Sequence, residues 1–150
     1  MIELKNVPVG YDYCFAGIGR CPKASTCLRA IAAQLLSESE EPQPKSVNVV
    51  NPLYVERLPD LSACECYRSN EPLRYARGMT HLFDEVPARL LSTVRRRVMG
   101  CFSCERYFYH SRKGERLITP AEQQRIAGAF KAAGITAKPK FDSYEPGLAW

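Results

Sequence analysis

The sequence predicts an α+β fold: a single, predominantly helical domain with a short β-hairpin and a cysteine-rich N-terminal knuckle. Three observations lead there. Apolar residues recur at three- and four-residue spacing in four stretches; valine- and aromatic-rich segments are short; and Cys14, Cys21 and Cys27 crowd the first helix. With 150 residues, 45% of them apolar, the chain can bury one core. The expected organisation is one domain over 1–150, with a cysteine-rich helical region at 1–36, an acidic linker loop at 37–45 and a helical body at 46–150 whose C-terminal half is basic.

The first helix is expected over about 23–37, where Leu28, Ile31, Ala32, Leu35 and Leu36 form one stripe and Pro22 suits the opening turn. Ser37-Glu38-Ser39-Glu40-Glu41-Pro42-Gln43-Pro44 has nothing to bury and reads as a loop. Ser46 to Val50 reads as a short strand ended by Asn51-Pro52. A second helix is expected over about 71–86, with Tyr75, Ala76, Met79, Leu82, Phe83 and Val86 on one face, broken by Pro87. Leu90, Leu91, Val94 and Val98 mark a third, stopped by a left-handed Gly100. Thr119-Pro120-Ala121-Glu122 is a capping box that opens the last helix, with Ile126, Ala127, Phe130 and Ala133 as its buried face and Gly134 as its end. Beyond it an extended tail should pack Phe141, Tyr144 and Trp150 against the body.

Residues 104–118 allow two structures. Tyr107-Phe108-Tyr109 favours a strand that turns at Arg112 to Glu115 into a hairpin, and aromatic content tips the choice that way. The alternative is a helix over about 104–113 that Ser103 caps and that ends at Gly114.

Seven cysteines are an odd number, and residues 1–14 lack a basic-then-apolar export signal, which together predict free or metal-bound thiols in a cytoplasmic protein. No apolar run is long enough to span a bilayer, so no membrane partner is expected. Cys14, Cys21 and Cys27 (C-x6-C-x5-C) and the Cys64/Cys66 pair are separated by short loops, which lowers the entropy lost in gathering thiolates around one ion. Gly17 and Gly19 permit a tight reversal between the first two. Placement of Cys21 and Cys27 near a helix start should favour thiolate. The expected set is Cys14, Cys21, Cys27 and Cys66, with Cys64 as the other choice for the fourth position. The metal is zinc or, given Cys21-Pro22 and the uneven spacing, an iron–sulfur cluster. The plainer alternative is that these are small buried apolar residues with no metal. Cys101 and Cys104 form a C-x2-C with neither a second such pair nor a βαβ frame around it, which points to a structural role.

The segment Cys14-Phe15-Ala16-Gly17-Ile18-Gly19-Arg20-Cys21, continued to Cys27, resembles the first three ligands of CCCH-type zinc fingers, including the glycine two residues before the second cysteine. The family's histidine, four residues after the third cysteine, is Ile31 here. The likeness stops at the fourth ligand and does not carry RNA binding with it.

Charge is uneven. Residues 88–116 hold seven arginines and one lysine against two glutamates, an excess larger than the +5 of the whole chain. Arg95, Arg96, Arg97, Arg106, Arg112 and Lys113 can pair with phosphates, and Tyr107 and Tyr109 can stack on bases, so nucleic acid is the expected partner. A solvated helix face, or a surface for an acidic protein, is the alternative. The order of parts resembles a winged helix-turn-helix if the hairpin forms, and an ordinary helix-turn-helix with Gly100-Cys101-Phe102 as its turn if the helix forms.

C-P-x4-C-L-R at Cys21 to Arg29, G-M-T-H-L at Gly78 to Leu82, G-E-R-L-I-T-P-A-E-Q at Gly114 to Gln123 and F-D-S-Y at Phe141 to Tyr144 together resemble an uncharacterised domain family of intestinal bacteria. That resemblance implies a bacterial cytoplasmic protein and no known activity. His81 and His110 are the only neutral-pH proton carriers, and neither has a nucleophile at a telling spacing. The sequence therefore points to binding rather than catalysis, with an iron–sulfur or thiol redox sensor and a metal-free protein-interaction module as alternatives.

Overall fold

A computed structural model describes residues 2–150. Helices and strands mix, with helix predominating. The chain forms two compact units, one running up to Pro72 and taking in Leu148–Trp150, the other Leu73–Gly147.

In the first unit, strand β1 (Asp12–Tyr13) lies parallel to β2 (Asn48–Val49), Asp12 opposite Asn48. The Val50 N–H extends the pairing to the Tyr13 carbonyl at 2.8 Å. Helix α1 covers Leu28–Glu38 and buries Leu28, Ala30, Ala32, Ala33 and Leu36. It starts later than its apolar stripe suggests. Ala24–Thr26 is a 3-10 turn and Cys27 is extended, because the backbone there pairs with a distant segment: Leu28 donates to Arg68 (2.7 Å) and Asn70 to Thr26 (2.9 Å). Pro22 thus lies outside the helix. Asn51-Pro52, read from sequence as a strand stop, opens the short helix α2 (Pro52–Arg57). The Asn51 side chain accepts from the Leu53 N–H at 3.0 Å, proline takes the first helical position, and Val55 is buried. The Trp150 ring meets Tyr11 edge-on at 5.2 Å.

In the second unit, β3 (Leu73–Arg77) is the centre of an antiparallel sheet, flanked by β4 (Leu117–Ile118) and β5 (Ser143–Gly147). The helix expected over 71–86 is absent. Its first half is β3, paired residue by residue from Leu73↔Gly147 to Arg77↔Ser143, and its second half is a run of turns that still buries Met79, Leu82 and Val86. Helical spacing and sheet pairing competed for the same apolar residues, and a partner strand far along the chain decided between them.

Helix α3 covers Ala88–Met99 and buries Val94 and Val98, while Leu91 is exposed. Gly100 follows it at φ −67°, so the expected left-handed stop is not used. The favoured hairpin is replaced by helix α4 (Glu105–Arg112), and Leu117–Ile118 pairs with β3 instead. Helix is the better solution because it buries Phe108 completely against Phe102, ring centres 6.0 Å apart, and releases the chain through Gly114 at φ +78°. Helix α5 (Pro120–Ala132) has the capping box read from the sequence: Thr119 Oγ1 accepts from the Glu122 N–H at 3.2 Å and Glu122 accepts from the Thr119 N–H at 2.9 Å. Ile126 and Phe130 are buried as expected and Ala127 is exposed. Phe141 packs against this core, and Tyr144 lies edge-on to it at 6.0 Å.

Candidate metal centre

Five of the seven cysteines come together. Cys14, Cys21, Cys27, Cys64 and Cys66 line one narrow cavity in the first unit, with Gly17, Lys23, Arg29 and Tyr67. Its volume, about 20 Å³, suits a single water-sized body.

Backbone bonds fix each segment. Cys14 follows β1, and its N–H donates to the Arg29 carbonyl at 3.0 Å, which ties it to the start of α1. The chain then reverses, Cys21 N–H reaching the Gly17 carbonyl at 2.9 Å, with Gly19 at φ +73°. A Cβ on residue 17 would sit 3.3 Å from Cys14 Sγ and 3.4 Å from Cys21 Cβ, so glycine is what lets these two cysteines approach. Cys27 stands immediately before α1, held by its bridge to Ser69. Asp60 caps the turn Leu61–Ala63, and the Tyr67 N–H to the Cys64 carbonyl (3.1 Å) curls Cys64 and Cys66 toward the same space. Lys23 Nζ, 2.6 Å from the Ser62 carbonyl and 4.8 Å from the centre of the Tyr67 ring, clamps this loop to the first.

The four cysteines expected as ligands therefore line one cavity, but the supporting elements differ from expectation. Only Cys27 adjoins a helix N-terminus; Cys21 precedes a 3-10 turn, and Cys66 precedes β3 rather than a helix. Burial raises the Cys14 thiol pKa, the Gly17 N–H opposes this, and the sulfurs of Cys27, Cys64 and Cys21 raise it further. Burial likewise raises Cys66, whose near neighbours are Cys64 and Arg29. All seven cysteines are free, and among the described residues no three His, Cys, Asp or Glu side chains stand in a metal-ligating arrangement. The cavity gathers thiols without a finished tetrahedron.

Sequence reasoning missed the cationic wall. Arg29 occupies the second position of α1, where the helix dipole disfavours a cation; a helix over 23–37 would have put it in the interior, so no local pattern marked it.

In the second unit Cys101 is buried, its thiol 3.4 Å from the Arg97 carbonyl, while Cys104 is exposed at the start of α4. Arg95, Arg96 and Arg97 cannot share one direction, because consecutive helical residues fan by about 100° each; Arg96 and Arg97 are exposed and Arg95 is half-buried. On α4, Arg106, Tyr109 and Lys113 fall on one stripe, all exposed, with Tyr107 exposed to one side and Arg112 half-buried on the other. Arg106 Nε donates to His110 Nε2 at 3.2 Å, which leaves the ring proton on Nδ1, facing Glu115 at 2.6 Å. His81 pairs with Asp84 at 2.8 Å on the surface. Among the described residues, no helix is long and apolar enough to cross a membrane.

Fold and site together define a mixed helix-and-strand protein with a thiol-lined cavity in one unit and cation-bearing helices in the other. The chain belongs to the family of unknown function DUF6078, whose profile matches residues 1–150. No curated protein and no solved structure matches it.

Proposed function

We propose that this protein binds a metal through thiolates, with Cys14, Cys21 and Cys27 as three ligands and Cys64 or Cys66 as the fourth, and that its role is binding rather than catalysis. One observation carries this: five cysteines, Cys14, Cys21 and Cys27 ahead of α1 and Cys64 and Cys66 far beyond it, line a single cavity. Zinc is the ion that best fits such a donor set, since it accepts four thiolates and requires no redox chemistry of them. Protein purified without oxygen should contain one zinc per chain and absorb no visible light. Broad visible absorption with iron present would transfer the site to an iron–sulfur cluster, and protein without metal that also fails to take up added zinc would end the proposal.

A second reading concerns the other unit. Arg96, Arg97, Arg106, Lys113, Tyr107 and Tyr109 are all exposed on α3 and α4, a combination of cations and aromatic rings that suits nucleic acid. Titration of duplex and single-stranded oligonucleotides at two salt concentrations tests it. Binding that weakens steeply with salt is expected, and negligible binding at low salt would rule it out.

A further inference from the structure

We propose that Arg29 is the outer-shell partner of the bound metal, its Nε–H donating to a metal-bound sulfur of the cysteine cavity; this rests on the thiolate site proposed above. Arg29 lines the cavity together with the five cysteines, and its side chain is only 15% exposed. Its Nε is buried with no hydrogen-bond partner among the described residues. Leaving such a charged donor unsatisfied costs more than the roughly 1–3 kcal/mol of a neutral one, so an acceptor on the cavity side is expected. The other contacts of the guanidinium do not supply one. Asp12 reaches Nη1 at a long 3.5 Å and is half exposed; the Tyr11 ring centre is 5.9 Å from the guanidinium carbon, and the Tyr11 hydroxyl, though near enough to interact with Arg29, is itself buried without a hydrogen-bond partner among the described residues.

Charge leads to the same place. Four thiolates on a divalent ion form a centre of net charge −2, whereas four thiols form a neutral one. The former adds to the long Asp12 pair a strong reason to keep a permanent cation at the second position of a helix, against its dipole. Lys23, the second cation of the wall, has its ammonium on the neutral Ser62 carbonyl, so its charge also favours an anionic centre. The Arg29 carbonyl meanwhile holds the Cys14 N–H. One residue thus fixes a ligand through its backbone and would neutralise the centre through its side chain.

The test uses the full chain and three variants. Zinc affinity is measured by competition with a chromophoric chelator, and the sulfur-to-metal absorption band is recorded after loading with Co2+. Arg29→Met keeps the aliphatic stem and removes the charge and the N–H; it should bind zinc about 10–100-fold more weakly, the range for loss of an outer-shell partner. Arg29→Lys should recover part of this affinity, while its Co2+ band moves to lower energy because a sulfur without its N–H donor is easier to oxidise. Asp12→Asn removes only the outer ion pair and should change affinity by less than about twofold. Wild-type protein that binds no zinc overturns the thiolate site and this role together. Zinc binding in the wild type with Arg29→Met equally tight, or with Asp12→Asn as weak as Arg29→Met, overturns the Arg29 role alone. Should Arg29→Met fail to fold, an unshifted Co2+ band in Arg29→Lys overturns it as well.

Discussion

Arg116 grips Glu122 with both of its terminal nitrogens, Nη1 to Oε2 at 3.0 Å and Nη2 to Oε1 at 2.9 Å, and the carboxylate so held is almost fully buried. Glu122 also closes the capping box of α5, and the same guanidinium sits 4.8 Å from the Tyr107 ring centre. A residue counted in the sequence as part of the basic excess is therefore an internal strut between β4, α4 and α5.

Removal of one partner should be severe. Arg116→Met leaves a buried carboxylate without its counter-charge, and breaking such a pair costs about 3 kcal/mol or more. Urea denaturation at neutral pH would measure it; a loss below about 1 kcal/mol would show that the pair contributes little.

The same pair sets an acid limit. Burial by itself raises the Glu122 pKa, but the bonds from Arg116 and the Thr119 N–H outweigh it and hold the carboxyl below the usual glutamate value. Because the folded value is the lower one, this stabilisation is complete above the unfolded value, near pH 4.3, and is lost as pH falls through the folded value. Glu122→Gln should be less stable at pH 7 yet lose less stability on acidification from pH 6 to 3. Parallel curves for the two proteins would contradict this.

Gly78 stands at φ +72°, and a Cβ there would lie 2.3 Å from Oδ2 of Asp142, whose carboxylate binds the N–H and hydroxyl of Thr80. Gly78→Ala should destabilise by roughly 2 kcal/mol or more, combining left-handed strain with the clash. In the double variant with Asp142→Ala the clash disappears and the strain remains, so the two losses should sum to more than the observed total. Strict additivity in thermal melts would argue against the contact.

The fourth metal ligand is open to direct substitution. Cys64 and Cys66 both line the cavity, so one of Cys64→Ser and Cys66→Ser should lose more zinc affinity than the roughly 10–100-fold typical of an outer-shell change, while the other should retain one zinc per chain. Full retention of zinc in both variants would remove the pair from the ligand set.

For the basic surface, Arg106→Ala and Lys113→Ala should each lower the slope of log affinity against log salt by roughly 0.9 on duplex DNA, one phosphate contact apiece. Arg112→Ala, half-buried and off that stripe, should leave the slope unchanged. Equal effects from all three would show that general charge, not a defined surface, is responsible.

Local signals were readable wherever they were self-sufficient. The cap at Thr119 and Glu122 and the stripe through Val94 and Val98 located α5 and α3 closely, because a helix is satisfied by its own backbone bonds and one apolar face. Asn51-Pro52 both ends the strand, as its proline predicts, and opens α2, a cap residue followed by a first-position proline that is legible in the sequence. Arg29 carried no such signal, because a helix over 23–37 leaves it in the interior, away from the N-terminal turn.

Elsewhere the deciding interaction lay far away in the chain. Tyr75 to Val86 satisfies helical spacing, yet Leu73–Arg77 is a strand because Ser143–Gly147 lies beside it. Tyr107-Phe108-Tyr109 has strand propensity, yet it is helical because Phe108 finds Phe102 and the core. The sequence by itself determined that sulfur is clustered near the first helix, where two helices begin and end, and which segment of the chain is basic. Only the tertiary structure decided that Cys64 and Cys66 join the other three around one cavity, and that Arg116 is absorbed internally while Arg106 is not. Spacing constrains how cheaply residues can meet, whereas whether they do meet depends on backbone pairing between segments that no local pattern encodes.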